Sequence, residues 1–537
     1  MSAWRLTEEQ QTAVDADTHA LEIRAGAGTG KTLTLAHRAA RLVGGDPRLQ
    51  ARTLLVTFTR EATASLERRM ALLLGRDHHA RVLSFHQWAA REIPPGERRF
   101  LPEGEARRLV RDALPASSGL QRALSVGPDE DVATRVLGVL SYCKNAQTSL
   151  HAALASTHTT LAPWQDVLER AHERYEEGKG DRLDYDDLLL AFRDRLKRSP
   201  AFRKDVAGSL HHLFVDEYQD VNGIQAETVR LVTKPGEGAP LTVVGDARQA
   251  IYGFRGASPA HLENFLRAYR GHGERVALRV SFRAARGLVE ASNAALPDER
   301  PLRARAGAPR GEGVDARACE DPLDEGRAAA DHAERLLAAG GDPREIVVLV
   351  RARHLAESYQ IETLRRRADE AWADGDPDAM GAAIDATLRG RAPEGRAGAV
   401  LARRLRIAPP PQLDARSLLA LPRGRALGEV AVSTIHAAKG LEWDHVILLG
   451  AREGGMPSEH ALAAPVATQP ALLAEERRLL YVALTRARIS VLALWAARDG
   501  RREFAPCRWL VGVPTGRSAN RTAGRNEEQA PGQATAG

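Results

Sequence analysis

The stretch Ala25-Gly26-Ala27-Gly28-Thr29-Gly30-Lys31-Thr32 holds the residue types that cradle a phosphate chain. It follows the apolar segment Ala20-Leu21-Glu22-Ile23 and precedes a helical pattern from Leu33 to Arg38, so a strand, a glycine-rich turn and a helix start come in succession. Glycines let successive backbone N–H groups point into one concavity, and the helix N-terminus adds the positive end of its dipole. Lys31 can reach the β- and γ-phosphates and the Thr32 hydroxyl can hold Mg²⁺, as in the pattern G-x-x-x-x-G-K-[ST]. Ala25 replaces that pattern's first glycine, a small-for-small exchange. A second reactive stretch is Leu213-Phe214-Val215-Asp216-Glu217, an apolar strand ending in two acids. Opposite a phosphate-binding lysine, Asp216 would hold the Mg²⁺ shell and Glu217 would orient or deprotonate an attacking water. A third, Leu241 to Asp246, runs into a loop carrying Gln249, Tyr252, Phe254 and Arg255. That loop suits γ-phosphate sensing on one side and base stacking on the other.

These side chains need parallel strands that finish along one edge of a sheet, where ligands bind. Thr53 to Thr59 reads as a buried strand running into an amphipathic helix through Met70, and Val82 to His86 as a second strand end. Phe58, Phe85 and His86 are thereby candidates to stack nucleobases, or the two Phe side chains are core. Leu6 to Val14 reads as a short helix with Thr7 as N-cap and Gln10 at N3. The Gln10 amide also suits the donor–acceptor edge of adenine, and the spacing favours the cap. Trp88 to Gly180 is helical with arginine-rich faces, and Asp184, Asp186 and Asp187 read as acidic capping residues of the next helix.

The length of 537 residues suggests roughly three to four domains. A hydrophobic content of 43% and a charged content of 27% describe a globular protein, and the net charge of +6 favours polyanionic partners. Most of that positive charge is arginine; the scarcity of lysine makes the placement of Lys31 and Lys439 in motif-like stretches informative. Cys143, Cys319 and Cys507 lack the spacing of a metal site or disulfide framework. With no signal-peptide pattern and no apolar run of membrane length, a cytoplasmic location without membrane association is expected.

Further stretches extend the series. Ser281-Phe282-Arg283, Val432-Ser433-Thr434-Ile435-His436-Ala437-Ala438-Lys439-Gly440-Leu441-Glu442-Trp443, and Glu476-Arg477-Arg478-Leu479-Leu480-Tyr481-Val482-Ala483-Leu484-Thr485-Arg486-Ala487 look like motifs IV, V and VI of superfamily 1 helicases. Together with the three stretches above, in the family's order, the chain from Leu6 to about Trp495 resembles the UvrD/Rep/PcrA group. The resemblance implies an α/β fold: two RecA-like P-loop NTPase domains with parallel sheets, each interrupted by a mainly helical insertion, and ATP with Mg²⁺ in the cleft between them. The implied boundaries are 1–88 and 181–274 for the first core around an insertion at 89–180. For the second core they are 275–364 and 429–512 around a reduced insertion at 365–428, followed by a disordered tail at 513–537.

Residue by residue, the resemblance implies that Gln10 contacts adenine after all, that Phe282 stacks on the base, and that Glu442 meets the ribose or nearby phosphates. Ala25, Gly26, Ala27, Gly28, Thr29, Gly30, Lys31 and Thr32 hold the phosphates. Thr32 and Asp216 hold the metal, and Glu217 acts on water. Gln249 and Arg255 face the γ-phosphate, and Arg283 and Arg486 act as arginine fingers, worth about 10³–10⁵ in rate in other NTPases. Phe58, Tyr252 and Phe254 line the single-strand path, with Thr57, His86 and His436 beside it, each stacked base contributing about 1–3 kcal/mol.

The implied activity is 3′–5′ translocation on single-stranded DNA and unwinding of 3′-tailed duplexes in repair, recombination or replication. Three departures stand out. Arg60-Glu61 replaces the usual Asn-Lys, Phe254 replaces a frequent Trp, and the 365–428 segment, with Ala408-Pro409-Pro410-Pro411, is short for the family's inserted subdomain. The last favours an alternative, a DNA-stimulated NTPase sensor or effector subunit that needs a protein partner to unwind.

Overall fold

The computed structural model describes residues 5–124, 131–298, 301–360, 362, 363, 366 and 430–513. The chain divides into two compact units, Met1–Phe282 with Ala464–Arg478, and Arg283–Ala463 with Leu479–Gly537.

Unit 1 is built on six strands: β1 (Ala20–Ala25), β2 (Thr53–Thr57), β3 (Arg81–Ser84), β4 (His212–Val215), β5 (Leu241–Gly245) and β6 (Gly273–Leu278). Their order is β3-β2-β4-β5-β1-β6 and every pairing is parallel. β2, β4 and β5 are buried along their whole length, as continuous apolar runs in a sheet covered on both faces must be. Side-chain alternation splits each strand between two cores. Leu54, Val56, Leu213, Val215 and Val243 pack with Trp88, Phe192 and Phe265 on one face, while Leu55, Phe214 and Val244 pack with Leu21, Ile23 and Leu35 on the other.

A helical segment between β3 and β4 has its own core of Val110, Val136, Leu168 and Tyr175. Lys144 fixes it to the helix Tyr185–Arg198, reaching Asp184 at 2.7 Å and Asp187 at 2.8 Å. Asp184 and Asp187 also form that helix's capping box, so the acids read as caps carry an ion pair as well.

The strand expected to run to His86 stops at Ser84. The Ser84 hydroxyl accepts from the Gln87 amide, and the Gln87 side chain accepts from the Ser84 N–H. This capping box starts a helix at Phe85, which turns the Phe85 ring into the core, where it is 3% exposed.

Among the described residues of unit 2, five parallel strands form one sheet: β7 (Gly313–Cys319), β8 (Ile346–Val350), β9 (Ala431–Thr434), β10 (Trp443–Leu449) and β11 (Ala487–Ala496), in the order β9-β8-β10-β11-β7. The two units are RecA-like parallel α/β cores, the class the sequence predicts. The reduced insertion expected at 365–428 lies outside the described residues apart from Arg366, and so does the tail beyond Val513.

Unit 2 contains a buried carboxylate clamp. Glu325, on the helix Pro322–Ala338, accepts from the Gly450 N–H at 2.6 Å and the Ala496 N–H at 3.2 Å, tying together the ends of β10 and β11. Burial pushes its carboxyl up to about 7, against the pull of those two amides and of Arg452. The folded state therefore holds this proton more tightly than the unfolded chain does. Its contribution to stability is full below the ordinary value of 4.5 and is lost as pH rises through about 7. Thermal melts from about pH 4.5 to pH 7.5 are expected to show a fall in Tm that Glu325→Gln flattens; parallel curves for the two proteins would contradict this.

Candidate active site

The phosphate loop closes at the carboxyl end of β1. Gly28 and Gly30 have φ of 73° and 82°, the left-handed region that glycine enters freely. The Thr29 hydroxyl donates to the Gly26 carbonyl at 3.0 Å, drawing the turn tight, and the helix Lys31–Val43 begins with no side chain capping its N-terminus. Gln10 is the N3 residue of a capping box with Thr7, as its spacing predicts. Its Nε2 also donates to the Thr29 carbonyl at 3.0 Å, so the same amide braces the phosphate loop. Space is short there, since a Cβ on Gly30 would stand 2.7 Å from Gln10 Nε2. Phe282, 47% exposed, is held against the loop by its N–H, which donates to the Gly28 carbonyl at 2.9 Å.

β4 runs beside β5, which pairs with β1, and delivers Asp216 and Glu217 to the same edge. The Thr32 hydroxyl donates to Asp216 Oδ2 at 3.0 Å, and Lys31 Nζ lies 3.9 Å from Glu217 Oε2. Burial and the neighbouring Glu217 charge push Asp216 up to about 7, opposed by Thr32 and Lys31. A buried carboxylate short of positive charge beside a threonine hydroxyl is a hard-oxygen donor set that fits Mg²⁺, which takes few protein ligands and completes its shell with water and phosphate oxygens. Glu217 has φ 48°, a conformation rare outside glycine and asparagine and found at strained functional positions.

Sequence reasoning missed what holds Glu217 there. Gln219, fully buried, donates from Nε2 to Glu217 Oε2 and accepts the Asp246 N–H on Oε1 at 2.9 Å. Asp246 in turn accepts from Gln249 Nε2 at 2.9 Å. Burial raises the Asp246 carboxyl, but Arg248, Lys31 and the Gln249 bond hold it below its usual value. Both residues stood inside motif-like stretches, but only the fold shows that one glutamine bridges them.

Beyond Gln249 the loop turns outward. Tyr252 and Phe254 stand edge to face at 6.1 Å, Phe254 is 45% exposed, and the Arg255 guanidinium lies over both rings. Arg255, expected at the γ-phosphate, sits on the aromatic side of the loop. Phe58 is half-buried against the core with its ring 5.6 Å from Phe85. Thr57 is 1% exposed, with its hydroxyl paired to Thr63 at 2.6 Å. His86 meets Tyr185 edge to face at 5.8 Å, and Tyr185, 66% exposed, lies 6.2 Å from Phe100. Tyr185 and Phe100 thus add exposed rings beside His86 that the sequence did not single out, Tyr185 having been hidden among capping acids.

In unit 2, Arg283 Nε lies 2.5 Å from Glu442 Oε2, and its Nη1 donates to the Thr485 carbonyl at 3.3 Å. Arg486 is 1% exposed and donates to the Val482 and Leu441 carbonyls at 3.1 and 3.0 Å. His436 is half-buried in the loop after β9.

Residues 6–270 match the UvrD/REP helicase N-terminal domain, and residues 417–497 match the UvrD-like helicase C-terminal domain. The chain is 31% identical to the ATP-dependent DNA helicase UvrD2 of Mycobacterium tuberculosis, across 95% of this chain and 81% of that protein. It is 32% identical to the ATP-dependent DNA helicase PcrA of Leuconostoc citreum across 54% of this chain and 39% of the relative, and 26% identical to DNA helicase II of Escherichia coli across 54% and 40%.

The loop geometry makes Gly30 irreplaceable. Gly30→Ala forces a side chain into left-handed backbone and against the Gln10 amide, and is expected to cost about 1–2 kcal/mol. Chemical denaturation checks this; an unchanged midpoint would contradict the tight contact.

Proposed function

We propose that this chain, which belongs to the UvrD-like helicase family, is an ATP-hydrolysing DNA helicase that tracks 3′ to 5′ along single-stranded DNA and opens 3′-tailed duplexes. The observation that carries this reading is the meeting of Lys31 and Thr32 with Glu217 and Asp216 at one sheet edge. An exposed aromatic loop lies one turn beyond Gln249. A motor needs both: a site that turns over a phosphate chain and a surface that holds bases without reading them.

In this reading the amides from Gly26 to Lys31 and the Lys31 ammonium hold the phosphates. Thr32 and Asp216 would hold Mg²⁺, which would neutralise phosphate charge. Glu217, oriented by Gln219, takes the proton of the attacking water. Gln249 reports the state of the γ-phosphate to the loop that carries Tyr252 and Phe254. Arg283 and Arg486 supply positive charge to the transferring phosphoryl group, which requires each to leave the carboxylate or carbonyl partners described above. Phe58, His86, Tyr185, Tyr252 and Phe254 stack bases, and His436 contacts the strand from unit 2. In this reading the unwinding serves DNA repair, recombination or replication.

Strand displacement on a 3′-tailed duplex, with ATP hydrolysis followed in the same tube, tests the proposal. Displacement from the 3′ tail, none from a 5′ tail and none with Glu217→Gln is the expected result. DNA-stimulated hydrolysis without displacement would support instead a sensor subunit that unwinds only with a partner. Gln219→Ala is expected to lower kcat for ATP about tenfold with little change in KM, because it releases the water-orienting carboxylate and leaves the phosphate contacts in place. Steady-state kinetics decide, and a loss confined to KM would contradict the role given to Gln219.

A further inference from the structure

Among the charged residues of the helix Gln469–Leu484, Glu475 and Arg478, both in its unit 1 portion, reach the loop after Gln249. Three positions apart, they project from one helix face. Arg478 Nε donates to the Ala250 carbonyl at 2.7 Å, and Glu475 Oε1 accepts the Gly253 N–H at 3.2 Å. The carboxylate presses close, since a Cβ on Gly253 would stand 2.3 Å from Glu475 Oε2. A side chain at Gly253 would displace the carboxylate from this position.

The bracketed backbone, Ala250 to Gly253, separates two kinds of side chain. Gln249 precedes it, with its amide tied to Asp246 in the phosphate-side network. Tyr252 and Phe254 lie at its far end, under Arg255. Hydrogen bonds from a guanidinium and to a carboxylate are stronger than those between neutral groups. Two such bonds tie the Ala250–Gly253 backbone to one face of the helix.

We infer that Glu475 and Arg478 are positioning residues that clamp the Ala250–Gly253 backbone and make ATP turnover responsive to bases stacked on Tyr252 and Phe254. This rests on the function proposed above.

The test compares ATP hydrolysis with and without a single-stranded oligothymidylate in wild type, Glu475→Ala, Glu475→Gln and Gly253→Ala, with melting curves confirming folding and fluorescence anisotropy giving DNA affinity. Glu475→Ala is expected to keep its basal rate while the rate at saturating DNA falls about tenfold. Glu475→Gln, which retains an acceptor for the Gly253 N–H, restores most of the stimulation. Gly253→Ala, which drives the carboxylate off, mimics Glu475→Ala and adds little to it in the double variant, as two perturbations of one contact must. Stimulation of Glu475→Ala equal to wild type, or basal and stimulated rates falling together, would overturn the clamp while leaving the proposed function intact. A wild-type protein that DNA does not stimulate would overturn the proposed function and the clamp with it.

Discussion

The structure of the site depends on one juxtaposition: the loop after β1 and the acids after β4 reach the same sheet edge, with Thr32 on Asp216 at 3.0 Å and Lys31 facing Glu217. Burial, with the Glu217 charge beside it, pushes Asp216 up to about 7 against the pull of Thr32 and Lys31. A divalent cation held by Asp216 and Thr32 would supply the positive charge that this buried carboxylate lacks. Parallel pairing makes the juxtaposition possible, because every strand then ends on the same side. The buried alternation of Leu213, Phe214 and Val215 fixes the register that points Asp216 at the loop.

Holding reactive groups at a strand end demands local backbone cost. Gly28 and Gly30 avoid it by lacking side chains, whereas Glu217 adopts a positive φ with a full side chain. That conformation persists because Gln219 and Asp246 form a satisfied, buried network around it. The same network reaches Gln249, three residues before Tyr252, so the buried hydrogen bonds and the paired rings lie on one short stretch of backbone.

Much of this was legible from local sequence. The phosphate loop, the Thr7–Gln10 capping box and the acids after β4 are short-range patterns whose meaning lies within a few residues. The two parallel sheets followed from the resemblance that the series of motifs carries. What the sequence hid was non-local or depended on which way a side chain faces. Phe85 reads as a strand-end aromatic until Ser84 and Gln87 start a helix beneath it. Thr57 sits at the right strand end but points inward to Thr63. Gln219 and Glu475 act on residues 27 and 222 positions away, and no spacing rule announces such contacts. Arg255 illustrates the converse: its type suits a phosphate, and its place over Tyr252 and Phe254 emerges only from the fold of the loop.

The most direct measurement of the central claim is a crystal structure with Mg²⁺ and a non-hydrolysable ATP analogue. The account predicts the phosphates against the Gly26–Lys31 amides, the metal held by the Thr32 hydroxyl and Asp216, and Glu217 facing the γ-phosphate. A nucleotide bound elsewhere, or a metal that leaves Thr32 and Asp216 bonded only to each other, would contradict it.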